Sequence, residues 1–153
     1  MKIRVLSVGG DRSGWFEPGV QGYAARLQHY VRLELVELPA SRGAQSPAVS
    51  RRREAEALQK RLLPGESLVA LEDRGTPMDS LSFSRWLGEA RDGGRDLAFV
   101  LGGDEGLDTS VRARAWKVLS LSPMTFPHRL ARLVLLEQLY RGFTLLRGEP
   151  YHK

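Results

Sequence analysis

Three segments of this 153-residue chain combine residue types that can hold or transform a ligand. Gly102-Gly103 follows the wholly apolar run Leu97–Leu101 and removes two side chains where a backbone could approach a bound molecule. The same pair equally suits a tight strand-to-helix turn. Ser120-Leu121-Ser122-Pro123-Met124-Thr125-Phe126-Pro127 is bounded by prolines, which fix backbone angles and carry no N–H, while its other residues still offer N–H and C=O groups. Such a loop can present backbone groups to a planar heterocycle, or it can be a bare connector. Leu71-Glu72 is a third candidate position, at the end of another short apolar run. A basic group closes the chain, with Arg129, Arg132, Arg141, Arg147 and Lys153 near His128 and His152.

Several chemistries are excluded by what is missing. No G-x-x-x-x-G-K-[ST] occurs, so there is no phosphate-binding P-loop, and no G-x-G-x-x-G opens a helix after a strand. Gly102-Gly103-Asp104-Glu105 matches the start of the cyclic-dinucleotide synthase signature, but Gly106 stands where an aromatic belongs. His29, His128 and His152 are too dispersed for a zinc pattern, and there is no G-x-S-x-G elbow. With no cysteine, thiolate metal sites, disulfides and a cysteine nucleophile are all excluded. No metal site is expected.

The elements that must position these segments follow from hydrophobic periodicity. Apolar, β-branched runs at Ile3–Val8, Leu33–Leu38, Leu68–Glu72, Leu97–Leu101 and Val118–Leu121 read as strands. Helical spacing covers about Phe16–Tyr30, Val49–Leu63, Leu81–Ala90, a short stretch after Asp108, and His128–Leu146. Ser80 is the expected N-cap of the third helix and Asp108 of the fourth, while Asp73–Pro77 reads as a turn. Alternation of strand and helix predicts one α/β domain over residues 1–153, a mainly parallel sheet flanked by helices. In such a sheet, ligands bind outside the carboxyl ends of the strands, which is where all three candidate segments fall.

The last helix is apolar around most of its circumference, through Leu130, Leu133, Val134, Leu135, Leu136, Leu139, Tyr140, Phe143, Leu145 and Leu146. It must be buried on more than one side, and the reading favours the sheet on one and a second copy of the chain on the other. Composition is that of an ordinary globular domain, at 42% hydrophobic and 27% charged. No apolar run approaches the ~18 residues of a membrane span, and the charged Lys2 and Arg4 break the short N-terminal run, so a cytoplasmic protein without a membrane partner is expected. The net charge of +5 comes from residues 1–65, which hold 11 basic and 6 acidic side chains, against 12 of each in residues 66–153. That excess, densest at Arg51-Arg52-Arg53 and Lys60-Arg61, suits a polyanionic partner or a solvated helix face.

Taken in order, Leu101-Gly102-Gly103-Asp104-Glu105-Gly106-Leu107, Leu119-Ser120-Leu121-Ser122 with Thr125 and Pro127-His128, Glu137-Gln138-Leu139-Tyr140-Arg141, and Pro150-Tyr151-His152 form one pattern. It resembles the small bacterial large-subunit rRNA methyltransferases of the RlmH family, within the SPOUT superfamily, across essentially the whole chain. The resemblance implies a trefoil knot near the C-terminus, a homodimer, S-adenosylmethionine as methyl donor, and N3 of a pseudouridine in 23S rRNA as acceptor. It places the donor against Leu71, Gly102, Gly103 and the stretch Leu121, Ser122, Pro123, Met124, Thr125 and Phe126. The acceptor N3–H must lose its proton, and a base working near ambient pH would help. His152 beside Tyr151 is the first candidate there, with Arg141 as a phosphate or carbonyl contact; Glu137 is left without an assigned role. The alternative is a non-catalytic ribosome-binding factor that uses the basic stretch 51–61.

Overall fold

The computed structural model describes all residues, Met1–Lys153. Five strands, β1 (Lys2–Val8), β2 (Arg32–Leu38), β3 (Ser67–Pro77), β4 (Leu97–Leu101) and β5 (Lys117–Ser120), form one sheet in the order β2-β1-β4-β3-β5. Every pairing is parallel. Five helices, α1 (Glu17–Leu27), α2 (Pro47–Gln59), α3 (Ser80–Asp92), α4 (Thr109–Arg114) and α5 (His128–Leu146), alternate with the strands.

The period-two pleat sorts each strand between two cores. Leu97, Phe99 and Leu101 of β4 face the core built with α1, α3 and α5, while Ala98 and Val100 face the one built with α2 and α4. All five β4 residues are buried, as a central parallel strand covered on both faces requires. α3 and α5 cross closely: a Cβ on Gly142 would lie 2.7 Å from Leu87, one on Gly88 2.9 Å from Leu146, and Ser84 Oγ donates to the Gly142 carbonyl at 2.8 Å.

Two expectations need correction. The N-cap of α3 is Asp79, whose carboxylate accepts from the Ser82 N–H at 2.7 Å; Ser80 lies inside the helix and its hydroxyl donates to Gln138. The segment read as a turn belongs to β3. Leu71 and Thr76 both register on Leu119, so Glu72–Gly75 stand out as a bulge before the strand resumes at Thr76 and Pro77. Local turn residues could not show that β5 would recapture the chain beyond the bulge.

Candidate active site

A cavity of about 740 Å³ opens at the carboxyl ends of β3, β4 and β5. Three irregular segments wall it: the β3 bulge, the loop after β4 and the loop between β5 and α5. Its size falls within the roughly 300–1,000 Å³ usual for small-molecule sites. Leu71, Leu121, Met124 and Phe126 supply apolar surface, Glu72, Asp73, Asp104 and Glu105 acidic groups, and Arg51, Arg74 and Arg112 basic ones.

The walls are tied to one another. Ser120 Oγ lies 2.9 Å from the carbonyl oxygens of both Asp73 and Ser122, and Thr125 Oγ1 donates to Asp73 at 3.0 Å, so the bulge and the proline-bounded loop share a hinge point. Gly75 makes that approach possible, since a Cβ there would lie 2.6 Å from the Leu119 carbonyl carbon. Met124 N–H donates to Ser122 Oγ at 3.0 Å, a local turn within the loop. Glu72 pairs with Arg112 of α4 at 3.0 Å. His128 Nδ1 meets Asp104 at 3.0 Å, joining the start of α5 to the loop after β4.

Of the residues expected at the donor, Leu71, Gly102, Gly103, Leu121, Ser122, Met124, Thr125 and Phe126 line this cavity; Pro123 is exposed and does not. The two glycines carry different loads. A Cβ on Gly102 would lie 2.5 Å from the Gly106 carbonyl carbon, because the loop doubles back through a Gly103–Gly106 bridge. A Cβ on Gly103 would meet only side chains, Glu54 and Val8, at 3.2 Å. The bareness of Gly102 is therefore demanded by the loop's own fold, which then presents its backbone to the cavity.

Arg141, Tyr151 and His152 line no part of this cavity. Ala131 is the last α5 residue to do so, and Arg141 lies ten residues further, about 15 Å along the helix axis. The three form a second cluster, where the C-terminal tail folds back on α5. Its hub is Glu137, whose carboxylate accepts from Arg141, from the Tyr151 hydroxyl at 3.1 Å and from Gln138 at 2.6 Å. The sequence offered a faint signal for this hub, an acid four residues before Arg141 on one helix face. Tyr23 and Tyr151 hydroxyls lie 3.1 Å apart, and the Arg141 guanidinium sits 4.8 Å from the Tyr151 ring centroid.

This arrangement fixes protonation states. The hydrogen bond to Glu137 holds Arg141 above its ordinary range. Burial, then the contacts with Tyr23 and Glu137, pushes the Tyr151 phenol well up, so it stays protonated at neutral pH. Arg141 can only donate, so in its 3.3 Å contact with His152 Nδ1 that nitrogen is the acceptor.

A SPOUT-type α/β methyltransferase is the class that this sheet and carboxyl-end cavity define, and the chain belongs to that family: the family described as "Predicted SPOUT methyltransferase" matches residues 1–152. Within the family, the chain is 51% identical, over all of both chains, to the Ribosomal RNA large subunit methyltransferase H of Anaeromyxobacter sp. strain Fw109-5. It is 46% identical to the protein of the same name from Pelobacter propionicus, over 99% of each. The fold is also that of a probable methylase family protein from Haemophilus influenzae, at a TM-score of 0.54 and 15% identity over 99% of this chain and 70% of that one.

Proposed function

We propose that this chain transfers the methyl group of S-adenosylmethionine to N3 of a pseudouridine in 23S rRNA, and that it does so as a homodimer. The observation that carries the reading is the cavity itself. It combines the size of a nucleoside-class ligand, apolar surface for a heterocycle and carboxylates that suit the donor's cationic sulfonium and ammonium groups. When bound, the donor supplies an activated methyl group whose leaving group departs as a neutral thioether. The chain's part is then alignment, holding the acceptor nitrogen in line with the methyl carbon.

Leu71, Gly102, Gly103 and residues 121–126 hold the donor in this reading, and Arg141, Tyr151 and His152 meet the acceptor. Within one chain these two groups are separated along α5, which supports completion of each site by a second copy. Leu130, Val134 and Leu145 of α5 are half-buried and belong to neither core, apolar side chains on the face that also carries Gln138 and Arg141 and suited to that contact. With Tyr151 held as a phenol and Arg141 as a cation, both act as donors to nucleotide oxygens. His152 is the proton acceptor, once Arg141 turns from its Nδ1 to the RNA. The knot implied by the sequence pattern would involve these same carboxyl-end loops.

The RNA reading is supported by unpaired arginines, of which Arg51 and Arg74 line the cavity, and by an exposed indole elsewhere on the surface. Arg12, Arg42, Arg51 and Arg74 have no acidic partner within ion-pair distance. Trp15, 84% exposed, stands on a loop fixed by Asp11, whose carboxylate accepts from Ser13, Phe16 and Glu17. Unpaired guanidinium groups and an exposed indole suit phosphates and an unstacked base. The test is mass spectrometry of 23S rRNA, in ribosomes and free, after incubation with protein and labelled donor. Label on one pseudouridine is expected; transfer to no RNA would refute the reading.

A further inference from the structure

Behind the large cavity, on the far side of His128, lies a small one of about 10 Å³. Ser7 of β1 and Arg132 of α5 line it, only 2% and 6% exposed. Ser7 Oγ, His128 Nε2, Arg129 Nε and Arg132 Nε are buried and have no hydrogen-bond partner within the chain, and all four residues line this one cavity. The two carboxylates that also border it are engaged: Asp11 accepts three backbone N–H groups, and Glu17 accepts from Gln21 and pairs with Arg132.

Buried polar atoms without partners are costly, and a polar cavity of this size accommodates one water. The four groups match the bonding capacity of water. Two are obligatory donors, the Nε–H groups of Arg129 and Arg132; Ser7 Oγ can accept, and His128 Nε2 accepts when the ring proton is on Nδ1. We propose that the cavity binds a single water. It accepts from the two arginines and donates to Ser7 and His128, which makes His128 a positioning residue for the methyl-donor cavity. With Nε2 occupied as an acceptor, Nδ1–H is directed to Asp104, 3.0 Å away. That contact fastens the loop after β4 to the start of α5, the two segments that face each other across the cavity. The statement about cofactor affinity rests on the proposed function; the statement about the water and the tautomer does not.

The experiment is nitrogen-15 NMR of histidine-labelled protein without cofactor, at a pH where the rings are neutral, with His128 assigned by the loss of its signals in His128→Gln. Free imidazole side chains favour the proton on Nε2; the expected result for His128 is the proton on Nδ1. Because the water and not Asp104 sets the tautomer, Asp104→Ala, a change at a side chain 85% exposed, is expected to leave the proton on Nδ1, and a return to the Nε2–H form would overturn the water assignment. S-adenosylmethionine binding is expected to weaken about fivefold in Asp104→Ala, as loss of one hydrogen bond does, and to be largely retained in Asp104→Asn, which keeps an acceptor for Nδ1–H but removes the charge. An Nε2–H ring in the unmodified protein would put three obligatory donors around the cavity, one more than a water's two lone pairs can accept, and overturn the water assignment. A crystal structure showing an anion there would do the same. Unchanged cofactor affinity in Asp104→Ala, with the tautomer retained, would overturn the positioning role alone.

Discussion

Replacing Gly102 by alanine should damage donor binding far more than the same change at Gly103. The added methyl at Gly102 would stand 2.5 Å from the Gly106 carbonyl carbon, 2.6 Å from its oxygen and 2.9 Å from the Leu107 nitrogen. These are backbone atoms of the same loop. They must retreat by roughly 0.9 Å to reach ordinary contact at 3.4 Å, which breaks the Gly106 N–H bond to the Gly103 carbonyl now at 3.0 Å. Overpacking of this kind costs about 1–3 kcal/mol. If the loop bears it, affinity falls by about five- to 150-fold. At Gly103 the methyl meets Glu54 and Val8 side-chain atoms at 3.2 Å, which yield by a few tenths of an ångström. Below about 1 kcal/mol is expected there, less than fivefold in affinity. Isothermal titration calorimetry with S-adenosylmethionine, beside thermal melts of both variants, measures the contrast. Equal losses, or a larger loss at Gly103, would refute the argument that the loop's fold is what demands the bare glycine.

Glu137→Gln should lower kcat roughly tenfold or more while leaving donor affinity unchanged, because Glu137 orders Arg141 and Tyr151 and lies outside the cavity; steady-state kinetics beside calorimetry checks the split. Tyr30 is pushed up to about 12, first by its hydrogen bond to Glu149 and then by burial. A raised folded value means that its contribution is complete below pH 10 and is lost as pH rises through about 12, so alkaline melts should fall more steeply for the unmodified protein than for Tyr30→Phe. Arg74→Ala should reduce the salt dependence of rRNA binding by about one phosphate contact, and Trp15→Ala should weaken binding with little change in that slope; filter binding across a salt series separates them.

Much of this arrangement was legible from residue order. The β4 run Leu97–Leu101 carried no polar residue, and it is the central strand; His128–Leu146 was readable as one helix to the residue. The proline-bounded loop and Gly102-Gly103 were visible as candidate ligand contacts because strand ends in a parallel sheet converge on one edge. What escaped the sequence depends on long-range closure. Glu137 is a hub only because the tail brings Tyr151 back to α5, and no spacing rule links residues so placed. The separation of Arg141, Tyr151 and His152 from the cavity is likewise a matter of length along α5, which motif order does not reveal. Asp79 caps α3 in place of Ser80, a one-residue choice settled by which side chain reaches the Ser82 N–H.

In the proposed homodimer, each active site takes its donor cavity from one chain and its acceptor cluster from the other. Gly102→Val, which disables the cavity, and Glu137→Ala, which disables the cluster, should each be nearly inactive alone. Mixed, unfolded and refolded together in equal amounts, they form heterodimers with one intact composite site, and about a quarter of the unmodified activity should return. No recovery on mixing, with heterodimers shown to be present, would mean that each chain works alone and would contradict the account.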